Sequence, residues 1–260
     1  MTDQGPTSSL SYSHAVLGGE VLVYDRIGST NTALREMASK GAVEGTVVVA
    51  NEQLAGRGRF DRTWNSPPGA GFYGSILVRP RSLPLREAQT LTFVAAIAVA
   101  EALQSLGAKD VAIKWPNDVL AGGKKVCGIL TESGCVEDHV EWAVVGIGVN
   151  LRHENVPVEL LDRATSLEDE GLHVSSLTLL SPLLAAFDRW YGTLLERGAE
   201  AVIERWSELA PMAHDTRVSV DDGREVFEAT TAGVSPDGLL RVRRDGGPVE
   251  EVTAADVFLK

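Results

Sequence analysis

One short loop of the chain carries residue types suited to holding an anionic ligand. It reads Gln53-Leu54-Ala55-Gly56-Arg57-Gly58-Arg59-Phe60-Asp61-Arg62-Thr63-Trp64. Arginine supplies a planar, permanently charged fork that matches carboxylates and phosphates. Glycine lets the backbone approach a ligand closely and take unusual dihedrals. A solvated surface loop with scattered charge has a similar composition, so this segment alone leaves both readings open.

Three further segments add chemistry. Lys114-Trp115-Pro116-Asn117-Asp118 puts a cation, an amide and a carboxylate at the end of a predicted strand. Catalytic groups are often mounted where a rigid element becomes a loop, although a Pro-Asn-Asp turn over a buried Trp is the plainer alternative. In Lys124-Lys125-Val126-Cys127-Gly128, strand alternation sends the two lysines to opposite faces. Lys124 then reads as solvated, and Lys125 can reach an anion held nearby. Gly128 in mid-strand marks a close approach to the backbone. Gly146-Ile147-Gly148-Val149-Asn150 sets two glycines in an apolar strand, which weakens a sheet unless a ligand or another backbone must come near; a bulge is the alternative. The chain holds neither a Walker P-loop nor a GxGxxG followed by a helix, so any nucleotide is held another way.

These groups need elements to position them. Val21–Tyr24 reads as a short strand, and Gly28-Ser29-Thr30-Asn31 caps a helix whose apolar residues are Ala33, Leu34, Met37 and Ala38. Thr46–Ala50 is a β-branched strand, residues 51–70 a long loop, and Phe72–Val78 a strand. Glu87–Leu106 reads as a helix, Val111–Ile113 and Lys125–Thr131 as strands about a Gly122-Gly123 turn, and Trp142–Leu151 as another strand. Leu177–Leu195 and Ala199–Leu209 carry helical periodicity. Beyond Ala210 the texture changes: Thr216–Val220, Arg224–Thr230, Leu239–Arg243 and Pro248–Thr253 read as short strands between Asp/Gly turns, which suggests a small barrel. The expected organisation is a flexible tail over residues 1–20, a large domain over 21–212 and a small one over 213–260.

Bulk properties exclude several classes. At 260 residues, one large and one small domain are expected. A net charge of −12 argues against broad binding to nucleic acid, where phosphate contacts supply most of the affinity. The two cysteines, Cys127 and Cys135, are too few for a disulfide framework, and with His139 they lack a convincing fourth zinc ligand, so no metal site is expected. The run Phe93–Ala100 is far short of the roughly 18 apolar residues a membrane span requires. No secretory leader is evident, and a cytoplasmic location is expected.

Taken in order and spacing, the four segments with Gly28-Ser29-Thr30-Asn31 resemble the biotin–protein ligases, from about residue 21 to the end of the chain. The resemblance implies an α+β fold: a central mixed β-sheet flanked by helices, followed by a small SH3-like β-barrel. It implies biotin and ATP as substrates, with Mg²⁺ carried by ATP. Ser29, Thr30, Asn31 and Gln53 match positions that hold the biotin head group. Gly56, Arg57, Gly58 and Arg59 match the loop that closes over biotin and its adenylate. Arg62, Trp64, Lys114, Asn117 and Asn150 match positions around ATP, and Gly128, Gly146 and Gly148 line the pocket wall. Lys125 matches the lysine between the biotin carboxylate and the α-phosphate.

The implied reaction suits these residue types. Biotin carboxylate attacks the α-phosphorus of ATP; both are anionic, and Lys125, Arg59 and Mg²⁺ offset the repulsion. A lysine of a biotin carboxyl carrier protein domain, as in acyl-CoA carboxylases, then attacks biotinyl-5′-adenylate and AMP leaves. Positioning and neutralisation suffice, so no Ser or Cys nucleophile is needed. Asp118 is a candidate for orienting the incoming lysine. The family's loop commonly continues Gly-Arg-Gly-Arg-Arg-Gly-Arg; here Phe60-Asp61 replaces Arg-Gly, so looser retention of the adenylate is expected. The 28 residues before Ser29 show no helical pattern, so no helix-turn-helix and no DNA binding are expected. A lipoate–protein ligase shares the catalytic architecture, but the Lys-Trp-Pro-Asn-Asp segment with the Gly-Arg-Gly-Arg loop favours biotin. Lys114, Asn117 and Lys125 together favour catalysis over a regulator that only binds biotin. No membrane partner is expected, and the sequence leaves a homodimer open.

Overall fold

In the computed structural model, which describes residues 5–253 and 255–259, the chain runs through two antiparallel-rich sheets and four helices. The first part holds strands β1 (Ser8–Ser13) and β2 (Gly18–Ile27), helix α1 (Thr30–Ser39), β3 (Val47–Gln53), β4 (Gly71–Val78) and α2 (Gln89–Ser105). It continues with β5 (Val111–Lys114), β6 (Asp118–Ala121), β7 (Lys124–Val136) and β8 (His139–Asn150). Helices α3 (Ser176–Arg197) and α4 (Ala199–Leu209) follow. The eight strands lie in the order β1-β2-β3-β4-β8-β7-β6-β5. Only β2 and β3 are parallel, and α1 is the crossover between them. The sheet is mixed and flanked by helices, as the resemblance implies.

Period-two alternation explains how one sheet carries two cores. Val47, Val49, Ile76 and Val78 point to one face, where α2, α3 and α4 pack. Val48, Ala50, Leu77 and Val144 point to the other and cover Leu34 and Ala38 of α1. Helix α2 is apolar over most of its circumference, with Leu91, Phe93–Ala100, Ala102 and Leu103 buried, and only its C-terminal end is polar and exposed. Among the described residues no helix is long and apolar enough to cross a membrane.

Residues expected to form a flexible tail are largely ordered into sheet. Residues 1–4 lie outside the described residues, but Ser8–Ser13 pair with Gly18–Val23. The Tyr12 hydroxyl donates to Gly45 O at 2.7 Å, and the Ala15, Val16 and Leu17 amides donate to the buried Asp188 carboxylate at 2.6–3.1 Å. β1 is an edge strand in which Tyr12 alone is partly buried against the core, so its apolar signal is slight, and its order comes from backbone pairing and the Tyr12 contacts.

The C-terminal part holds β9 (His214–Asp221), β10 (Val226–Val234), β11 (Leu240–Arg243), β12 (Val249–Val252) and β13 (Asp256–Leu259). They form an antiparallel sheet in the order β12-β11-β10-β9-β13, and among the described residues β12 and β13 are not paired, so the sheet is open there. It is tied to the first part at several points. The Trp115 indole N–H donates to Gly238 O at 3.0 Å. Arg86 Nε lies 3.5 Å from Asp237 Oδ1, in the turn between β10 and β11.

Candidate active site

A polar corner forms where α1 begins. Ser29 caps the helix in an extended conformation, and its hydroxyl accepts from the Thr32 amide. The Thr30 amide and hydroxyl both donate to Gln53 Oε1, at 2.9 and 3.1 Å. Gln53 Nε2 donates to Ser66 Oγ at 3.0 Å. From the floor, Ser75 Oγ lies 2.8 Å from Thr30 Oγ1 and 2.7 Å from Asn31 Oδ1. Asn31 Nδ2 donates to Leu130 O and to Glu132 Oε2, each at 3.0 Å. These buried groups are all satisfied, so the network holds a fixed geometry.

Glycines make room for one indole. Gly128 and Gly148 are cross-strand partners on β7 and β8. A Cβ at Gly128 would sit 2.8 Å from the Trp64 ring, and one at Gly148 would sit 2.5 Å from it. The pair therefore forms a flat slot that Trp64 fills. At Gly146 a Cβ would lie 2.0 Å from Asn31 Oδ1, so only glycine leaves the Asn31 amide in place. Trp64 Nε1 is buried without an acceptor among the described residues.

Residues 57–63 form a tight hairpin, with Arg57 bridged to Thr63 and the Gly58 amide donating to Arg62 O at 2.7 Å. At its tip Phe60 and Asp61 take left-handed dihedrals, φ 54° and 56°. The Phe60 ring lies between two guanidiniums, 4.7 Å from Arg59 and 5.7 Å from Arg62. Arg59 donates to Asn117 Oδ1 at 3.3 Å, and Asn117 Nδ2 donates to Ile129 O at 2.7 Å. Arg62 forms a bidentate pair with Asp256 of β13, which holds the Asp256 carboxyl below its usual range. Burial lowers the pKa of Arg59 and of Lys114, chiefly because each loses water around its charge. Lys114 Nζ stands 5.8 Å from the Phe258 ring centroid. Lys125 Nζ lies 2.6 Å from Asp118 Oδ1 and 5.4 Å from the Trp64 ring centroid.

These groups surround one cavity of about 1030 Å³. The lining is hydroxyl- and amide-rich at the α1 end and cationic at the Lys114, Lys125 and Arg59 end. Such a space suits a neutral polar head joined to an anion, with a larger polyanion beside it.

A profile of the Biotin/lipoate A/B protein ligase family matches residues 23–150, and one of the biotin protein ligase C-terminal domain matches residues 215–260. The biotin–acetyl-CoA-carboxylase ligase of Paracoccus denitrificans is 37% identical over 242 residues, spanning 90% of this chain and 98% of that protein. The chain belongs to the biotin protein ligase family.

Other relatives agree. The bifunctional ligase/repressor BirA of Bacillus spizizenii is 34% identical over 247 residues, covering 94% of this chain and 75% of that protein. The structure of the biotin protein ligase from Aquifex aeolicus in complex with biotin and ATP is similar with a TM-score of 0.78 and 27% identity, covering 92% of this chain and 98% of that one.

All the sequence-derived site residues line the cavity except Gly56. Gly56 sits behind the wall, where a Cβ would come within 2.4 Å of Trp64 O and 2.7 Å of Ser66 Oγ. Asn150 lines the cavity, but both ends of its amide are engaged: Nδ2 donates to Thr165 O, and Oδ1 accepts from Asn155. It therefore holds the 153–165 loop as well as facing the pocket. Sequence reasoning missed Ser66, Ser75, Glu132 and Asp256. Ser75 had a signal, being the one serine in the apolar strand Gly71–Val78; the other three had none.

Proposed function

We propose that the protein forms biotinyl-5′-adenylate from biotin and ATP and then transfers biotin to a lysine of a biotin carboxyl carrier protein domain. The observation that carries this reading is a single cavity lined by Thr30, Asn31 and Gln53 at one end, with Ser75 hydrogen-bonded behind them, and by Lys125, Arg59 and Lys114 at the other. The corner presents fixed hydroxyls and amides to a ureido head group. Biotin's carboxylate then reaches Lys125. ATP lies along Trp64, Lys114 and Asn117, bringing its own Mg²⁺, and Lys125 and Arg59 offset the repulsion between carboxylate and α-phosphate. Desolvation strengthens these contacts once the 57–63 hairpin closes.

Asp118 is proposed to act twice: it holds Lys125 before the substrates bind, and it orients the acceptor lysine once the adenylate occupies Lys125. Asp118→Asn should slow single-turnover transfer from preformed adenylate more than it slows adenylate formation. Equal effects on both steps would remove the second role.

We also infer a homodimer. Beyond Ile129, whose amide and carbonyl both bond to Asn117, β7 has β8 on one side and, among the described strands, none on the other. An unpaired edge of this kind can accept the same edge of a second copy. Light scattering of the biotin- and ATP-bound protein should give twice the monomer mass.

The deciding assay is pyrophosphate release with ATP, Mg²⁺ and either biotin or lipoate, without acceptor. Release with biotin alone is expected. Release with lipoate alone would assign the activity to lipoate instead.

A further inference from the structure

Glu132 of β7 lies outside the cavity lining, yet its carboxylate gathers three groups from two segments. Oε2 accepts from Asn31 Nδ2 at 3.0 Å. Oε1 accepts from Arg57 Nη1 at 2.7 Å and from Arg35 Nη1 at 3.1 Å. The glutamate side chain is only 18% exposed, while the Arg57 and Arg35 side chains that reach it are 39% and 43% exposed. A carboxylate this close to a site for anions opposes their binding unless its charge is answered, and here two arginines answer it.

Each contact constrains a different part of the site. Asn31 Nδ2 spends one hydrogen on Leu130 O and the other on Glu132, while Oδ1 faces the Ser75 hydroxyl. The amide is thereby fixed in one orientation at the head-group corner. Arg57 begins the 57–63 hairpin, so anchoring it fixes the base of the loop whose tip carries Arg59. One side chain thus spans the head-group corner and the closing loop.

We propose that Glu132 is a positioning residue that couples filling of the head-group corner to closure of the arginine loop, and so sets how long the adenylate is retained. The proposal rests on the biotin-ligase reading, which wild-type pyrophosphate release with biotin tests separately. Glu132 acts through Asn31 and Arg57 and touches no reacting atom.

The test compares Glu132→Gln, Glu132→Ala, Arg57→Ala and the double variant Glu132→Gln/Arg57→Ala in the full chain, after wild type has passed the pyrophosphate assay. Glutamine keeps an oxygen for Asn31 but loses the charge that holds Arg57. Glu132→Gln should speed dissociation of biotinyl-5′-adenylate roughly tenfold while biotin Kd moves less than about twofold. Glu132→Ala should show the faster dissociation and also a roughly tenfold weaker biotin Kd, since Asn31 loses its partner. The double variant should dissociate no faster than either of its single changes, because they break one contact. Unchanged adenylate dissociation in Glu132→Gln, equal biotin loss in the Gln and Ala variants, or additive rates in the double variant would each overturn the proposal. A merely structural role would lower Tm in both Glu132 variants without this split.

Discussion

Lys125 meets Asp118 across the β6–β7 pair, with Nζ 2.6 Å from Oδ1. The register slips between Val119 and Leu120. Such a slip re-aims side chains near a site. Lys124, absent from the cavity lining, donates instead to Leu161 O at 2.7 Å. The ammonium thus waits in the cavity with an anionic partner that substrate anions can replace.

Removing that cation tests its role directly. Lys125→Ala should reduce biotin-dependent pyrophosphate release by on the order of 10²–10³, the usual cost of one preorganised charge-stabilising group. Tm should change little, because the pair is partly exposed and contributes about 1 kcal/mol or less. Activity within tenfold of wild type would remove Lys125 from the charge-neutralising role.

Gly146→Ala tests the head-group corner. The new methyl would lie 2.0 Å from Asn31 Oδ1, so the amide must move. Overpacking of this kind costs about 1–3 kcal/mol. Calorimetry should show biotin binding weakened by roughly 10–100-fold. Unchanged affinity would mean that Asn31 does not read the head group.

The loop tip carries two non-glycine residues in left-handed backbone, Phe60 and Asp61. Phe60→Arg/Asp61→Gly relieves the strain at 61 and makes the loop more positive by two charges. Adenylate should dissociate more slowly, by about three- to tenfold, and Asp61→Gly alone should not lower Tm, because glycine adopts positive φ freely. Stopped-flow fluorescence of adenylate release would show it; an unchanged rate would separate loop charge from retention.

The Arg62–Asp256 pair ties the loop to the C-terminal sheet, and its stability contribution has a defined pH sign. The paired Asp256 has a folded pKa below its ordinary 3.8, mainly from the Arg62 hydrogen bonds. Its contribution is therefore full above that ordinary value and is lost as pH falls through the lower folded one. Arg62 is mostly exposed, so the pair is worth about 1 kcal/mol at most. Asp256→Asn should lower Tm by up to about 3 °C at pH 7. The wild-type and variant curves should converge on acidification below the ordinary carboxylate range. A difference that persists there would assign the effect to packing.

Much of the fold and site was legible in local sequence. Val47–Ala50 and Ile76–Leu77 alternate between two cores, so their strand character is written in neighbouring residues. Gly146 and Gly148 stand out in an apolar strand, and each proves to admit a side chain from elsewhere. β1 was illegible because an edge strand with one partly buried residue, Tyr12, carries little apolar signal. The C-terminal strands were visible from their turns, but whether they close into a barrel depends on which edges meet.

By itself the sequence determined the chemistry available: arginines between glycines, the Lys114–Asp118 segment, Lys125 and the glycine pairs, because each is a matter of residue type and short spacing. Tertiary structure alone decided who holds them. Glu132 stands 101 residues from Asn31, and Asp256 stands 194 from Arg62. A glutamate or aspartate on an ordinary strand has no local mark of its partner. Only the order in which the strands pack brings that carboxylate to the loop.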